Sequence, residues 1–316
     1  MAELKPRISI CIPTYNGEKF IARTIQSVLD QTFSNFEIIV SDDGSNDKTL
    51  EIVRSFNDPR IVRIDSLSKV GAEANWNNSV ANARADLVKL VCQDDLLYTH
   101  CLQTEFEAMS LSANLDVAFC FSLRDFVTPK DRFIKGRRIA NSEQKKLSKT
   151  QMLRKIVRSG GNPIGEPMAV TFRKSAFEKA GKFHGDYVID LNMWVGLLEF
   201  GSALFIPRRL TAFRISKTSW TSSLKKSQFG SVRSLAKNIR RENSDSVSSI
   251  DLVRGQLVGL VRAPARQIAS QIIFQNFRNV MEANQHNSSS RSQTNNSWKV
   301  SLVKCSRSFI LENLNY

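Results

Sequence analysis

Apolar positions fall into short continuous runs over the first hundred residues: ISICI at 8–12, FEIIV at 36–40, IVRI at 61–64 and DLVKLVC at 86–92. Runs that are apolar on successive residues fit strands covered on both faces. Between them the apolar residues keep helical spacing. Phe20, Ile21, Ile25, Val28 and Leu29 make one face; Leu50, Ile52, Val53 and Phe56 make a second; Ala74, Trp76 and Val80, within 72–83, make a third. Strands alternating with helices of this length predict βαβ units and a parallel sheet with helices on both faces, an α/β fold. After Leu97 the alternation loosens. A helix near 100–110 leads to a strand at 116–121, then to a loop and short helix through a stretch holding Pro129 and Gly136. Turn signals at Gly160-Gly161-Asn162-Pro163 and Gly165-Glu166-Pro167 precede the strand MAVTF. A helix over Asp190 to Glu199 and strands over Ala203–Ile206 and Leu210–Ile215 follow. Asp251 to Phe277 reads as an amphipathic helical region broken near Pro264. Its apolar side is Leu257, Val258, Val261, Ile268, Ile272 and Phe274. Residues 283–297 are crowded with Asn, Ser and Gln, which predicts disorder.

Three early strands end in polar clusters: Pro13-Thr14-Tyr15-Asn16-Gly17, then Ser41-Asp42-Asp43-Gly44-Ser45-Asn46-Asp47, then Gln93-Asp94-Asp95. Open α/β sheets take ligands at the carboxyl ends of their strands, so the spacing predicts one nucleotide-and-metal site built from three strand tips. The Tyr15 ring can stack on a base, although Pro, Asn and Gly also make ordinary turns. Asp42 and Asp43 can accept hydrogen bonds from a base NH or ribose hydroxyls, or one of them can serve only as a helix cap. Adjacent Asp94 and Asp95 suit Mg²⁺ or Mn²⁺, whose oxygen shells are often completed by substrate phosphates; the bland alternative is a solvated turn. Asp190 opens a predicted helix and can be a base or an N-cap. Spacing alone favours the cap, with Asp186 a rival and His184 a surface side chain.

Charge refines this picture. The net charge is +15 over 316 residues. Thr221 to Tyr316 holds 14 Lys/Arg against 5 Asp/Glu, and Arg124 to Arg158 holds 12 against 3, so each stretch carries +9. Basic segments of this kind attract anionic partners such as phosphate-bearing lipid or an anionic membrane surface. No reading motif with interleaved aromatics accompanies them, so no nucleic-acid partner is expected. The five cysteines, at 11, 92, 101, 120 and 305, lack metal-ligand spacing and fit a reducing cytosol. No signal segment and no run of about 18 apolar residues is present, so any membrane contact is expected to be peripheral, from the cytoplasmic side.

In this order the motifs resemble the family 2 glycosyltransferases of the GT-A fold. The resemblance spans roughly residues 7–220 and is carried by ISICIPTYNGEKFIARTIQSVLDQTFSNFEIIVSDDGSNDKT. It is supported by VGAEANWN at 70–77, QDDLLY at 93–98, NPIGEPMAVTFRKSAFEKAGKF at 162–183 and DLNMWVGLLEFG at 190–201. It implies a Rossmann-like GT-A catalytic domain over 1–220, with a donor half at about 7–123 and an acceptor half at about 124–220. A basic helical extension at 221–282 and a flexible tail at 283–316 would follow. It implies that Pro13, Thr14 and Tyr15 line the base pocket, with Asp43 on the base and Asp42 beside it. Asp94 and Asp95 would bind Mn²⁺ or Mg²⁺ and the diphosphate of a UDP, GDP or dTDP sugar. Asp190 would be the general base, and Gly165, Glu166 and Trp194 would lie near a saccharide or lipid-linked acceptor.

The implied reaction is inverting transfer of a single sugar, in bacterial surface polysaccharide or lipopolysaccharide assembly. Three positions depart from the pattern. Gln93 or Cys92 stands at the first acidic position of the metal motif, Ile189 precedes Asp190 where many relatives have Glu, and Ser216 stands where the AFRIS segment often ends in His. The Gln-x-x-Arg-Trp motif of processive synthases is absent. The principal rival is a non-catalytic relative that binds nucleotide sugar or membrane. A sugar nucleotidyltransferase would need a Gly-rich loop with a basic residue after the first strand, and a dehydrogenase a G-x-G-x-x-G there; PTYNG has neither. For the 251–277 region two expectations stand side by side: docking on a membrane, or packing on the catalytic domain as core.

Overall fold

A computed structural model describes residues 5–65, 69–134, 143–185, 188–216 and 225–261. The first part is the alternation foreseen: β1 (Ile8–Thr14), α1 (Ile21–Leu29), β2 (Phe36–Asp42), α2 (Thr49–Ser55), β3 (Ile61–Asp65), α3 (Ala72–Ala81) and β4 (Leu87–Leu90). Then come β5 (Leu96–Leu97), α4 (Cys101–Ser110), β6 (Val117–Val127), β7 (Phe133–Ile134), β8 (Lys145–Leu147), α5 (Lys149–Ser159) and β9 (Val170–Arg173). The described chain closes with α6 (Lys174–Lys179), α7 (Ile189–Leu197), β10 (Ser202–Arg214), α8 (Lys225–Glu242) and a helix at 249–261, called α9. No helix among the described residues is long and apolar enough to cross a membrane.

All the described strands join one mixed sheet whose main path is β3-β2-β1-β4-β9-β6-β10-β5. β3, β2, β1 and β4 run parallel, while β9 is antiparallel to both β4 and β6. Successive strand residues point to opposite faces, and the core divides accordingly. Ile8, Ile10, Ile12, Ile38 and Val40 pack with α1 and α4 on one face. Cys11, Ile39, Val88 and Leu90 pack with α5 and α7 on the other. The chain order reverses direction across the sheet between β1 and β4, which makes their carboxyl ends a topological switch point.

Two expectations need correcting. The strands expected at 203–206 and 210–215 are one strand, β10, whose pairing with β6 shifts register between Ile206 and Thr211. Pro207 sits within that irregular stretch, where a missing ladder donor is tolerated. The basic region, expected as loop and short helix, instead contains β7, β8 and the full helix α5. A capping box formed by Ser148 and Gln151 starts α5, and Gly160 in the left-handed conformation ends it.

The start of the 251–277 region is also rearranged. α9 turns Gly255 and Gly259 toward the end of α5. A Cβ on Gly160 would run into the Gly255 carbonyl and the Gly259 backbone, and one on Gly255 into the Val157 carbonyl oxygen. Asp251 is buried and accepts from Arg158 of α5. Leu257 and Val261, on the apolar side expected to meet either a membrane or the catalytic domain, are 60% and 67% exposed. Residues 262–277 and the tail expected at 283–316 lie outside the described residues.

This packing predicts that Gly255→Val destabilises the protein by about 2 kcal/mol or more, because backbone rather than a movable side chain meets the new methyls. Thermal melting together with limited proteolysis between α8 and α9 would register it. An unchanged melt and cleavage pattern would show that the helix does not sit against α5.

Candidate active site

The tips of β1 and β2 are tied together before any ligand is considered. The buried Thr14 hydroxyl donates to Asp42 Oδ1 (2.8 Å), and the Ser45 amide donates to Asp42 Oδ2 (2.8 Å). Asp42 is therefore the anchor of its own turn. Asp43, 2% exposed, accepts from the amides of Val70 (2.6 Å) and Gly71 (3.0 Å) at the start of α3. A base NH would have to share the remaining lone pairs of that carboxylate. Pro13 is buried in β1 and Tyr15 is half-buried. The Lys69 ammonium lies 4.0 Å from the Tyr15 ring centroid and covers one face of it.

Gln93 spans the switch point. Its Oε1 accepts from the Tyr15 amide (2.8 Å) and its Nε2 donates to the Tyr15 carbonyl (3.0 Å). Gly17 is required by the same packing, since a Cβ there would strike the Gln93 side chain. At the position where the sequence pattern expects an acid, this chain has an amide that pairs with both backbone groups of one residue. A carboxylate could not donate to the carbonyl.

Asp94 and Asp95 follow. The two-residue strand β5 pairs with Thr211 and Ala212 of β10 and so brings the end of β10 to the acidic pair. Arg214, fully buried, donates its backbone amide to Asp95 Oδ1 (3.2 Å) and Nε to the Asp94 carbonyl (2.7 Å). Nη1 donates to the Thr128 carbonyl (2.9 Å) and pairs with Asp131. Asp95 Oδ2 and Arg214 Nη2 are buried with no hydrogen-bond partner among the described residues. Burial raises the Asp94 carboxyl to about 6. Burial, and then the charge of Asp94, raise Asp95. Arg214 was not singled out by the sequence, where attention fell on Ser216 two residues later.

Asp190 lies in the first turn of α7 and is half-buried. Its Oδ2 accepts from Asn162 Nδ2 (3.0 Å) and its Oδ1 from the Leu191 amide (2.8 Å). Burial, with Glu166 adding to it, pushes its carboxyl up to about 7, against a lowering contribution from Arg124. Asn162 also accepts from the amides of Ile164 and Gly165 and donates to the Gly165 carbonyl, so it builds the turn as well as orienting Asp190. The sequence marked Asn162 only as a turn former. Glu166 pairs with Arg124, and Gly165, with φ of 117°, leaves space that the Arg124 guanidinium occupies.

Four carboxylates converge from distant parts of the chain. The Cys92 thiol is raised first by burial and then by the nearby charges of Asp95, Asp94, Asp190 and Glu166. Trp194, by contrast, is fully buried beside Phe119, Phe172 and Phe183, so its indole has no face to offer a sugar. His184 is exposed and away from this cluster's hydrogen bonds, and Asp186 lies outside the described residues.

The acidic cluster can be tested against a divalent ion. A buried carboxylate oxygen without a partner, next to a second carboxylate, suits a hard cation. Among the described residues no group of three or more His, Cys, Asp or Glu side chains is arranged to hold a metal. The residues therefore fit an ion with few protein ligands, its shell completed by phosphate and water.

An open α/β sheet with Asp and Tyr residues held in turns at its switch point defines a class of fold that takes ligands at the carboxyl ends of its strands. Residues 9–181 match the model of glycosyl transferase family 2, and the chain belongs to that family. It is 31% identical over 223 residues to an uncharacterized protein of Mycobacterium tuberculosis, covering 66% of this chain and 67% of that one. Over 102 residues it is 33% identical to the UDP-Glc:alpha-D-GlcNAc-diphosphoundecaprenol beta-1,3-glucosyltransferase WfgD of Escherichia coli, covering 32% and 40%. Among solved structures, S. aureus TarS 1–349 in complex with UDP-GlcNAc matches with a TM-score of 0.58 at 19% identity, covering 85% of this chain and 73% of that one. The mannosyltransferase PcManGT from Pyrobaculum calidifontis, in complex with GDP-Man and Mn²⁺, matches at 0.57 and 13% identity, covering 87% and 80%. The GT-A fold and glycosyltransferase activity follow.

Proposed function

We propose that the protein transfers a single sugar, with inversion, from a nucleoside-diphosphate sugar to an acceptor hydroxyl. The observation that carries this reading is Asp190, oriented by Asn162 in the first turn of α7, together with the buried pair Asp94–Asp95 held by Arg214 after the switch-point strand. Residues 7–123 form the donor half and 124–220 the acceptor half. Pro13, Thr14 and Tyr15 shape the nucleoside pocket, with Asp43 at its polar end and Asp42 holding the turn.

Asp94 and Asp95 would hold Mn²⁺ or Mg²⁺, and a bound ion would offset charge gathering on the departing diphosphate. Asp190 takes the proton from the acceptor hydroxyl as that oxygen bonds to the anomeric carbon and the bond to the diphosphate breaks. Asn162 holds Asp190 Oδ2 in place, which leaves the carboxylate's remaining lone pairs for the incoming hydroxyl. Glu166, paired with Arg124, is a poorer base and lines the acceptor side with Gly165. The relatives' donors and acceptors support a UDP or GDP sugar and a lipid-linked saccharide acceptor, in bacterial surface polysaccharide or lipopolysaccharide assembly. In that setting the enzyme would act at the inner face of the membrane.

Release of nucleoside diphosphate from UDP- and GDP-sugars with Mn²⁺ tests the reading, and thermal shifts with UDP, GDP and dTDP identify the base. A base acts when deprotonated, and the folded-state carboxyl of Asp190 sits at about 7. kcat/KM is therefore expected to fall as pH drops through about 7 and to level off above it. A rate independent of pH from 5 to 8, roughly the span over which such a group titrates, counts against Asp190 as the base.

A further inference from the structure

The packing of α9 leaves its apolar residues on the outside. At about 100° per residue, Gly255, Gly259 and Asp251 occupy the side pressed against α5. Ile250, Val253, Leu257, Leu260 and Val261 form a stripe on the opposite side and are 79%, 56%, 60%, 58% and 67% exposed. Five large aliphatic residues in a row on a solvent-facing helix are not the scattered exposed residues that any surface carries. The helix is held firmly by its small-residue side, so the stripe is not a failed core contact.

Charge selects the occupant. Exposed Arg254 borders the stripe on one side. Arg262 and Arg266 follow in the sequence, within a segment of net +9. A second copy docked stripe to stripe would bring like charges together, whereas an anionic bilayer complements them.

Position adds a reason. Gly160, which meets Gly255 and Gly259, is two residues from Asn162, the residue that holds Asp190. Two residues span at most about 7 Å of chain. The helix that carries the stripe is therefore packed next to the turn that orients Asp190.

We propose that the outward stripe of α9 is a docking surface for an anionic phospholipid bilayer. This deepens the reading of a lipid-linked acceptor and rests on it only for its biological purpose, because bilayer binding is measured without sugar transfer.

The test is co-sedimentation of the full chain with vesicles of phosphatidylcholine, with and without phosphatidylglycerol. Wild type should bind the phosphatidylglycerol vesicles and bind phosphatidylcholine vesicles much less. Leu257→Glu/Leu260→Glu should melt like wild type and bind about tenfold or more weakly, since two buried leucines are removed from the contact. Three results would overturn the proposal. One is unchanged binding by the double variant. Another is a wild-type dimer that ignores vesicles and that the variant splits, which assigns the stripe to a second copy. The last is vesicle binding by a chain ending at Val261 but not by the full chain, which assigns the stripe to residues 262–316.

Discussion

Asp190→Asn is expected to lower sugar transfer by about 100- to 10,000-fold, the range associated with losing a positioned general base, while leaving nucleotide affinity and melting temperature close to wild type. The substitution is nearly isosteric. Asn162 donates to one oxygen and the Leu191 amide to the other, so asparagine keeps one of these two bonds, and the turn at 160–166 should hold through the bonds of Asn162 to Ile164 and Gly165. What is lost is the second oxygen and its ability to take a proton. Single-turnover rates with saturating donor separate this loss from weaker binding. The corresponding change Glu166→Gln should act mainly on acceptor KM, because its carboxylate is committed to Arg124. If Asp190→Asn turned over like wild type and Glu166→Gln did not, the base would be Glu166 and the site would have to be redrawn.

Glu105→Gln is expected to cost about 3–5 kcal/mol of stability, the usual penalty for removing one partner of a buried ion pair. Lys89 in the middle of the sheet and Glu105 on α4 are both fully buried. Lys89 Nζ donates to both carboxylate oxygens, at 2.9 and 2.8 Å, and the Thr171 hydroxyl donates to Glu105 as well (2.7 Å). The neutral variant leaves an ammonium sealed in the core with no counter-charge. The triple variant Lys89→Met/Glu105→Leu/Thr171→Val removes all three polar groups at similar volume and is expected to lie within about 1.5 kcal/mol of wild type. Urea unfolding of the two variants decides the matter. Equal destabilisation would mean that packing around β4, β9 and α4, not the charge, sets the cost. Lys89 also explains why the run DLVKLVC forms a central strand despite its lysine: the charge has a partner that lies 16 residues away in sequence.

The donor side was legible because it is local. Each of the strands ISICI, FEIIV and DLVKLVC is followed within a few residues by its polar cluster, and continuous apolar runs with helical spacing between them leave one topology class. Less visible was what each polar side chain does. Asp42 and Asp43 were read as alternatives for base contact or capping. The fold spends Asp42 on Thr14 and Ser45, and Asp43 on the amides of Val70 and Gly71. Gln93 looked like a lost acid and is instead the bridge between β1 and the segment after β4. Arg214 and Asn162 lie in segments the sequence marked, but nothing there assigned either of them a role at the site. Their partners, Asp94–Asp95 and Asp190, are 120 and 28 residues away, and no spacing rule connects such pairs.

The α9 stripe shows the same division in apolar residues. Periodicity located an amphipathic helix correctly, but it does not say which side faces the protein. The apolar side that includes Leu257 and Val261 could have met either a membrane or the core of the catalytic domain. Here Gly255 and Gly259 permit backbone contact with Val157 and Gly160, and Asp251 adds a buried charge pair with Arg158. Those contacts turn that side outward.

From the residues alone came the alternating α/β plan, the strand tips that gather the site and, through resemblance, the reaction class. These depend on short-range patterns that the chain displays in order. The tertiary structure decided which acids meet, which of them are consumed in holding turns, and which face of α9 is left outside. Those outcomes depend on contacts between residues far apart in sequence, made only when the sheet has closed and the helices have packed.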